Sequence, residues 1–127
     1  MAYTVLLVDD SDTIREAMVR AFAMAKLPMH EILRASNGAE ALEVLKTHWV
    51  DMVLTDLNMP TMGGEELVKA MKADSEFSDI PVAVVSSDGS KARLDRLKEL
   101  GIAGFLRKPC RPEVIRDLLH SVLGEWT

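Results

Sequence analysis

Five short apolar runs alternate with five stretches whose apolar residues recur at helical spacing, and this alternation restricts the chain more than any other feature. The runs are residues 5–8 (VLLV), 32–33 (IL), 52–54 (MVL), 81–85 (PVAVV) and 105–106 (FL). The helical sets are Ile14, Ala17, Met18, Ala21 and Phe22; Ala41, Leu42 and Leu45; Leu67, Val68 and Met71; Leu94, Leu97 and Leu100; and Val114, Ile115, Leu118, Leu119 and Val122. Strand–helix alternation of this kind predicts a parallel sheet covered by helices on both faces. Pro28 is expected to stop the first helix, Ser36 or Asn37 to cap the second, and Gly101 to end the fourth.

The runs differ in a way that bears on strand order. The first, third and fourth are uninterrupted aliphatics, as strands buried on both faces must be. The second is flanked by Glu31 and Arg34 and the fifth by Arg107, which suits sheet edges. This is compatible with the flavodoxin-like order 2-1-3-4-5, although charge pattern alone does not fix an order. In such sheets ligands sit outside the carboxyl ends of the strands, where the order reverses. Here that point lies between the first and third strands. The first run ends in Asp9 and Asp10, the third reaches Asp56, the fourth ends in Ser86 and the fifth leads to Lys108.

At 127 residues the chain is expected to form one domain, 1–127, with a real core. No apolar run approaches the roughly 20 residues that span a bilayer, and the first ten residues lack the basic leader of a signal peptide. A single cysteine, Cys110, excludes an internal disulfide framework and fits a reducing cytoplasm. The net charge of −5 disfavours a grip on phosphate backbones, so direct nucleic-acid binding is not expected.

Three carboxylates on one rim repel unless a positive charge sits among them. Oxygen-only ligands suit Mg²⁺, whereas His30, His48 and His120 have no zinc-like spacing. A carboxylate beside Mg²⁺ can act as a nucleophile toward phosphorus. The Lys108 ammonium can then take a second phosphoryl oxygen and a hydroxyl such as Ser86 a third.

The segments VDDSDTIR, VLTDLNMPTMGGEEL, IPVAVVSSD and GFLRKP, in this order and spacing, resemble the receiver domain of two-component response regulators, in particular the single-domain CheY-like type. The likeness runs over residues 3–123. The strand order above is also this family's own, so the two are not independent. The resemblance implies that Asp56 is the phosphoacceptor and that Asp9, Asp10, Asp56 and the backbone carbonyl of Asn58 hold Mg²⁺. Ser86 stands at the switch hydroxyl, Phe105 at the switch aromatic, and Lys108 at the phosphate-binding lysine. Lys108–Pro109 is expected to be cis, and Gly64 to be the turn glycine. Gly63 replaces an acid often found there, with no obvious consequence. Asn58 and Asp88 flank the position where dephosphorylation is tuned. The implied partners are a sensor histidine kinase or phosphotransfer protein and a downstream protein bound through the face of helix 4, strand 5 and helix 5. The chain itself is then no enzyme beyond self-phosphotransfer and autodephosphorylation.

Blander readings exist for each residue. Asp9 and Asp10 alone could be acids at a helix start favoured by the macrodipole. Ser87 and Ser90 are best read as a polar turn capping the fourth helix. A lysine before a proline could simply snorkel, and Phe105 could be core. Alternatives for the whole chain are an atypical receiver that binds constitutively without phosphorylation, or a receiver excised from a larger regulator. A flavodoxin would need a Ser/Thr/Gly-rich phosphate loop where DDSDT stands. A haloacid-dehalogenase-type phosphatase wants a second Asp where the chain has Asn58.

Overall fold

The computed structural model describes residues 2–87 and 89–124. Along them run β1 (Tyr3–Val8), α1 (Asp12–Met24), β2 (Met29–Ala35), α2 (Gly38–Thr47), β3 (Met52–Thr55), α3 (Gly64–Ala73), β4 (Val82–Ser86), α4 (Lys91–Glu99), β5 (Gly104–Arg107) and α5 (Pro112–Leu123). All strand pairs are parallel and the order is β2-β1-β3-β4-β5. β3 and β4 are buried at every residue, and β1 is buried from Thr4 onward. Glu31, Arg34 and Arg107 are exposed on the two edge strands, so the charges do mark the edges. Among the described residues no helix is long and apolar enough to cross a membrane.

Because successive strand residues point to opposite faces, the sheet divides its aliphatics between two layers. Val5, Leu7, Met52, Leu54, Ala83 and Val85 pack against Met18 and Phe22 of α1 and Ile115 and Leu119 of α5. Leu6, Val8, Val53 and Val82 pack against Ala41 and Leu45 of α2 and Leu67, Val68 and Met71 of α3. A smaller cluster joins Leu57 and Val84 to Leu97 of α4, with Phe105 against it. Each fully buried aliphatic contributes roughly 1.5–3 kcal/mol. α4 buries Leu97 alone, whereas α3 buries Gly64, Leu67, Val68 and Met71. α4 is therefore held to the sheet by the least apolar area, which makes it the easiest helix to reposition.

The structure refines several expectations. β2 spans seven residues rather than two, because pairing with β1 through Ala35 carries it past its apolar pair. α1 ends at Met24, and the chain turns through Lys26 at φ 56 before Pro28 is reached. Asn37, not Ser36, caps α2: its side chain accepts from the Glu40 amide at 2.9 Å, while the Glu40 carboxylate accepts from the Ser36 amide at 2.9 Å. Ser90 does sit at the α4 N-cap, but its side chain makes no cap bond there. Gly101 adopts φ 84 just beyond α4, a backbone that favours glycine. Val114 is 43 % exposed and so stands outside the buried stripe of α5.

Candidate functional site

The carboxyl ends of β1 and β3 lie side by side, with Val8 paired to Thr55. The ladder continues one residue further, as the Asp56 amide donates to the Val8 carbonyl at 2.8 Å. On the other flank the Asp9 amide donates to the Ala35 carbonyl at 3.1 Å. Backbone pairing thus delivers Asp9 and Asp56 to the same rim. Carboxylate oxygens of Asp9, Asp10 and Asp56 all lie within 4.8 Å of one another. Asp9 is buried, Asp56 half-buried and Asp10 exposed.

Lys108 enters this cluster from the end of β5. Its ammonium donates to Asp9 Oδ2 at 2.7 Å and to Asp56 Oδ2 at 3.1 Å. Its backbone amide donates to the Ser86 carbonyl at 3.2 Å, which fixes the stem of the lysine to the end of β4. Burial alone would pull the ammonium's pKa down. Hydrogen bonds and charge from Asp9 and Asp56 more than offset that, holding it above the ordinary lysine value. Lys108 therefore stays charged throughout the neutral range. The other carboxylate oxygens are occupied as well: the Ser11 amide donates to Asp9 Oδ1 at 3.0 Å and the Leu57 amide to Asp56 Oδ1 at 2.7 Å. These bonds fix both carboxylates before any ligand arrives.

Three carboxylates against one ammonium leave a net of two negative charges on the rim. A divalent cation matches that deficit, and an all-oxygen donor set fits a hard cation rather than zinc. The acidic triad thus fits a metal site.

The β3–α3 loop that follows Asp56 is folded back tightly. A Cβ on Gly64 would lie 2.0 Å from the Asp56 carbonyl oxygen, and the Gly64 amide donates to the Leu57 carbonyl at 2.9 Å. Only a glycine lets this backbone pass so close behind Asp56. Gly63 stands beside it in the same tight loop. A Cβ there would lie 2.7 Å from the Leu57 carbonyl oxygen, so its lack of a side chain suits this packing. Asn58 is exposed in the same loop.

Ser86 is buried at the end of β4, paired in register with Arg107. Phe105 is half-buried and packs with Leu57, Val84 and Leu97, away from the carboxylates. The Lys108–Pro109 peptide is cis. Asp88 lies outside the described residues. Cys110 packs partly buried, with its thiol donating to the Arg107 carbonyl at 3.4 Å. Burial raises the thiol pKa, against an opposing pull from the Lys108 charge, so the group stays a protonated packing residue.

One residue of the site had no role assigned from sequence. Arg15, near the start of α1, donates to the Asp9 backbone carbonyl and to the Asp12 carboxylate, and reaches the Ser36 hydroxyl at 3.4 Å. It ties β1, α1 and the β2–α2 turn together beneath Asp9. The Asp12–Arg15 spacing of three on a helix was the visible signal, but it indicated a surface pair rather than a brace.

Residues 5–120 match the family described as the response regulator receiver domain. A chemotaxis protein CheY homolog of Campylobacter jejuni is 36% identical over 120 residues, covering 94% of this chain and 91% of that protein. Chemotaxis protein CheY1 of Helicobacter pylori is 37% identical over 120 residues, covering 94% and 95%. Among solved structures, that of Vibrio cholerae chemotaxis protein CheY4 superposes with a TM-score of 0.85 at 32% identity, covering 96% of this chain and 99% of that one.

Proposed function

The chain belongs to the response regulator receiver family, the signalling modules that act with histidine kinases in two-component systems, and from that premise we propose that Asp56 is its phosphoacceptor. The observation that carries this reading is the Lys108 ammonium shared between Asp9 and Asp56 at 2.7 and 3.1 Å. It pre-positions one positive charge beside the only carboxylate that follows β3 directly, among acids that can hold Mg²⁺. Asp9, Asp10, Asp56 and the backbone carbonyl of Asn58 are the ligands for that ion, which when bound neutralises phosphoryl oxygens in transfer.

The chain's own groups do the rest. An Asp56 oxygen attacks phosphorus while the phosphorus–nitrogen bond to the donor histidine breaks. The Leu57 amide and Lys108 hold the carboxylate still during that approach. Once transferred, the group carries roughly −1.5 to −2 charges where the carboxylate carried one, and it presents three acceptor oxygens. Lys108 can turn a hydrogen from Asp56 to one of these, and the Ser86 hydroxyl can meet another. Ser86 ends β4 and leads into α4, the helix whose one buried residue is Leu97, and Phe105 packs against that same leucine. A small shift at Ser86 therefore reaches the face of α4, β5 and α5, where a downstream protein binds. Asn58 and Asp88 tune how long the phosphoryl group survives. The site of action is the cytoplasm, whose reducing medium suits a lone Cys110.

Incubation with acetyl phosphate and Mg²⁺ tests the proposal. Intact mass is expected to show one added phosphoryl group, stable in acid and removed by hydroxylamine, and none when the metal is chelated. Uptake that is indifferent to Mg²⁺ would refute the role given to the acids. The route outward has its own test. Beryllofluoride with Mg²⁺ is expected to shift NMR resonances of Ser86, Phe105 and residues 91–100. A hydrogen bond to a charged group contributes about 1.5–3 kcal/mol, and 1.4 kcal/mol is a tenfold change in a two-state ratio. Ser86→Ala should therefore cut the ratio of switched to unswitched molecules roughly tenfold or more, with Asp56 still able to accept phosphate. Full-size remote shifts in that variant would place the route elsewhere.

A further inference from the structure

The end of the sheet opposite Asp56 carries a second concave surface that the phosphoryl chemistry does not use. The turn from α2 to β3 (48–51) and the segment from α3 to β4 (74–81) face each other across a groove of about 370 Å³, within the range of pockets that take side chains or small ligands. Its floor is apolar, formed by Leu45, Val50 and Phe77. On its rim stands Trp49, 81 % exposed. A tryptophan so placed leaves a large, flat apolar surface in water, the kind of residue that dominates protein–protein contacts.

This indole is not loose. Its Nε1 donates to Asp51 Oδ1 at 3.0 Å, and Asp51 Oδ2 accepts from the Thr4 amide at 2.8 Å. The Asp51 amide in turn donates to the Thr4 carbonyl at 2.8 Å. One carboxylate therefore anchors an exposed ring to β1, so little side-chain entropy remains to be lost when something packs on it. The charge around the groove is one-sided. Asp51, Glu76 and Asp79 line it with His48 as the only basic side chain among the lining residues, and Glu76 and Asp79 are exposed.

We propose that this groove docks a partner protein through a segment in which an arginine or lysine neighbours an aliphatic side chain. The cation stacks on the exposed indole face and lies toward Glu76 and Asp79, while the aliphatic group covers Val50 and Phe77. Nucleic acids and anionic membranes carry the wrong charge for this rim. Asp51 precedes β3 and Asp56 follows it, five residues apart, so the groove lies about 16 Å from the phosphoacceptor at strand rise. Docking here is independent of phosphorylation. It tethers the receiver to a partner while the other end of the sheet changes state.

The test uses the full chain, uniformly ¹⁵N-labelled, and two probes: acetyl-Leu-Arg-Leu-Arg-amide and its acidic counterpart acetyl-Leu-Glu-Leu-Glu-amide. The basic peptide is expected to shift the amides of residues 48–51 and 76–80 and the Trp49 indole saturably, with the acidic peptide inert. Trp49→Ala removes an exposed side chain and should leave the fold intact while lowering affinity at least about tenfold. Trp49→Phe, which keeps a ring but loses the Asp51 anchor, is expected to fall between. Replacing Glu76 by Gln and Asp79 by Asn together should weaken binding and flatten its salt dependence. Beryllofluoride with Mg²⁺ should leave the affinity unchanged. No saturation by about 10 mM basic peptide, an equal response to the acidic one, or undiminished affinity in Trp49→Ala would overturn the proposal. A clear change in affinity with beryllofluoride would overturn the claimed independence from Asp56.

Discussion

Asp56→Asn is expected to take up no phosphoryl group from acetyl phosphate and Mg²⁺, whereas the parent chain is expected to take up one, a difference that intact mass reads directly. The reason lies in how the carboxylate is held. Oδ1 accepts from the Leu57 amide at 2.7 Å and Oδ2 from Lys108 at 3.1 Å. An asparagine can reproduce one of these acceptors. Its amide nitrogen offers no nucleophilic lone pair, and it turns donor hydrogens toward the Lys108 ammonium. The variant should still fold, because Asp56 is anchored through its backbone to Val8 and because one negative charge leaves a crowded rim. Labelling equal to the parent's, or a label that survives hydroxylamine, would show that a hydroxyl residue is the acceptor instead.

Asp10→Ala is expected to weaken Mg²⁺ binding at least tenfold, on the scale of lost metal contacts, and to slow phosphorylation in proportion. Stability should move the other way. Asp10 is the exposed member of the triad, with a carboxylate oxygen within 4.8 Å of the other two acids. Like charges at such a distance repel by about 1 kcal/mol even at the dielectric of water. Without metal, the variant should therefore melt a few degrees higher. Asp9→Ala makes the contrast, since Asp9 is buried and shares Lys108; it is expected to lose both metal affinity and stability. Calorimetric titration with Mg²⁺ and melting curves in chelator check both variants. An Asp10→Ala protein that binds Mg²⁺ like the parent would remove Asp10 from the ligand set.

Most of the sheet was legible because burial on both faces forces a strand to be aliphatic throughout. That condition holds for β3 and β4 at every residue, and Glu31, Arg34 and Arg107 mark the edges equally openly. The acids at strand ends were legible for a related reason: a charge directly after such a run must sit at a rim. What stayed hidden depends on partners distant in sequence. β2 owes its length to β1, not to its own apolar residues. Arg15 reads as a surface ion pair until the Asp9 carbonyl is placed beside it. The anchoring of Trp49 runs through an Asp51–Thr4 bond spanning 47 positions, which no local pattern announces. Val114 fits the helical period of α5 yet faces solvent, since period alone does not say how wide a buried stripe is.

The bond between Lys108 and Asp9 joins residues 99 positions apart, and that separation governs when the site can exist. At ribosomal speeds of about 5–20 residues per second, Lys108 is made roughly 5–20 s after Asp9. Until β5 has closed the sheet, Asp9, Asp10 and Asp56 have no lysine among them, and contacts so remote in sequence are among the slower ones to form. A nascent or half-folded chain can thus display the acids but not the constellation. On the proposed reading, only a chain folded through β5 presents the acids and Lys108 together to a phosphoryl donor.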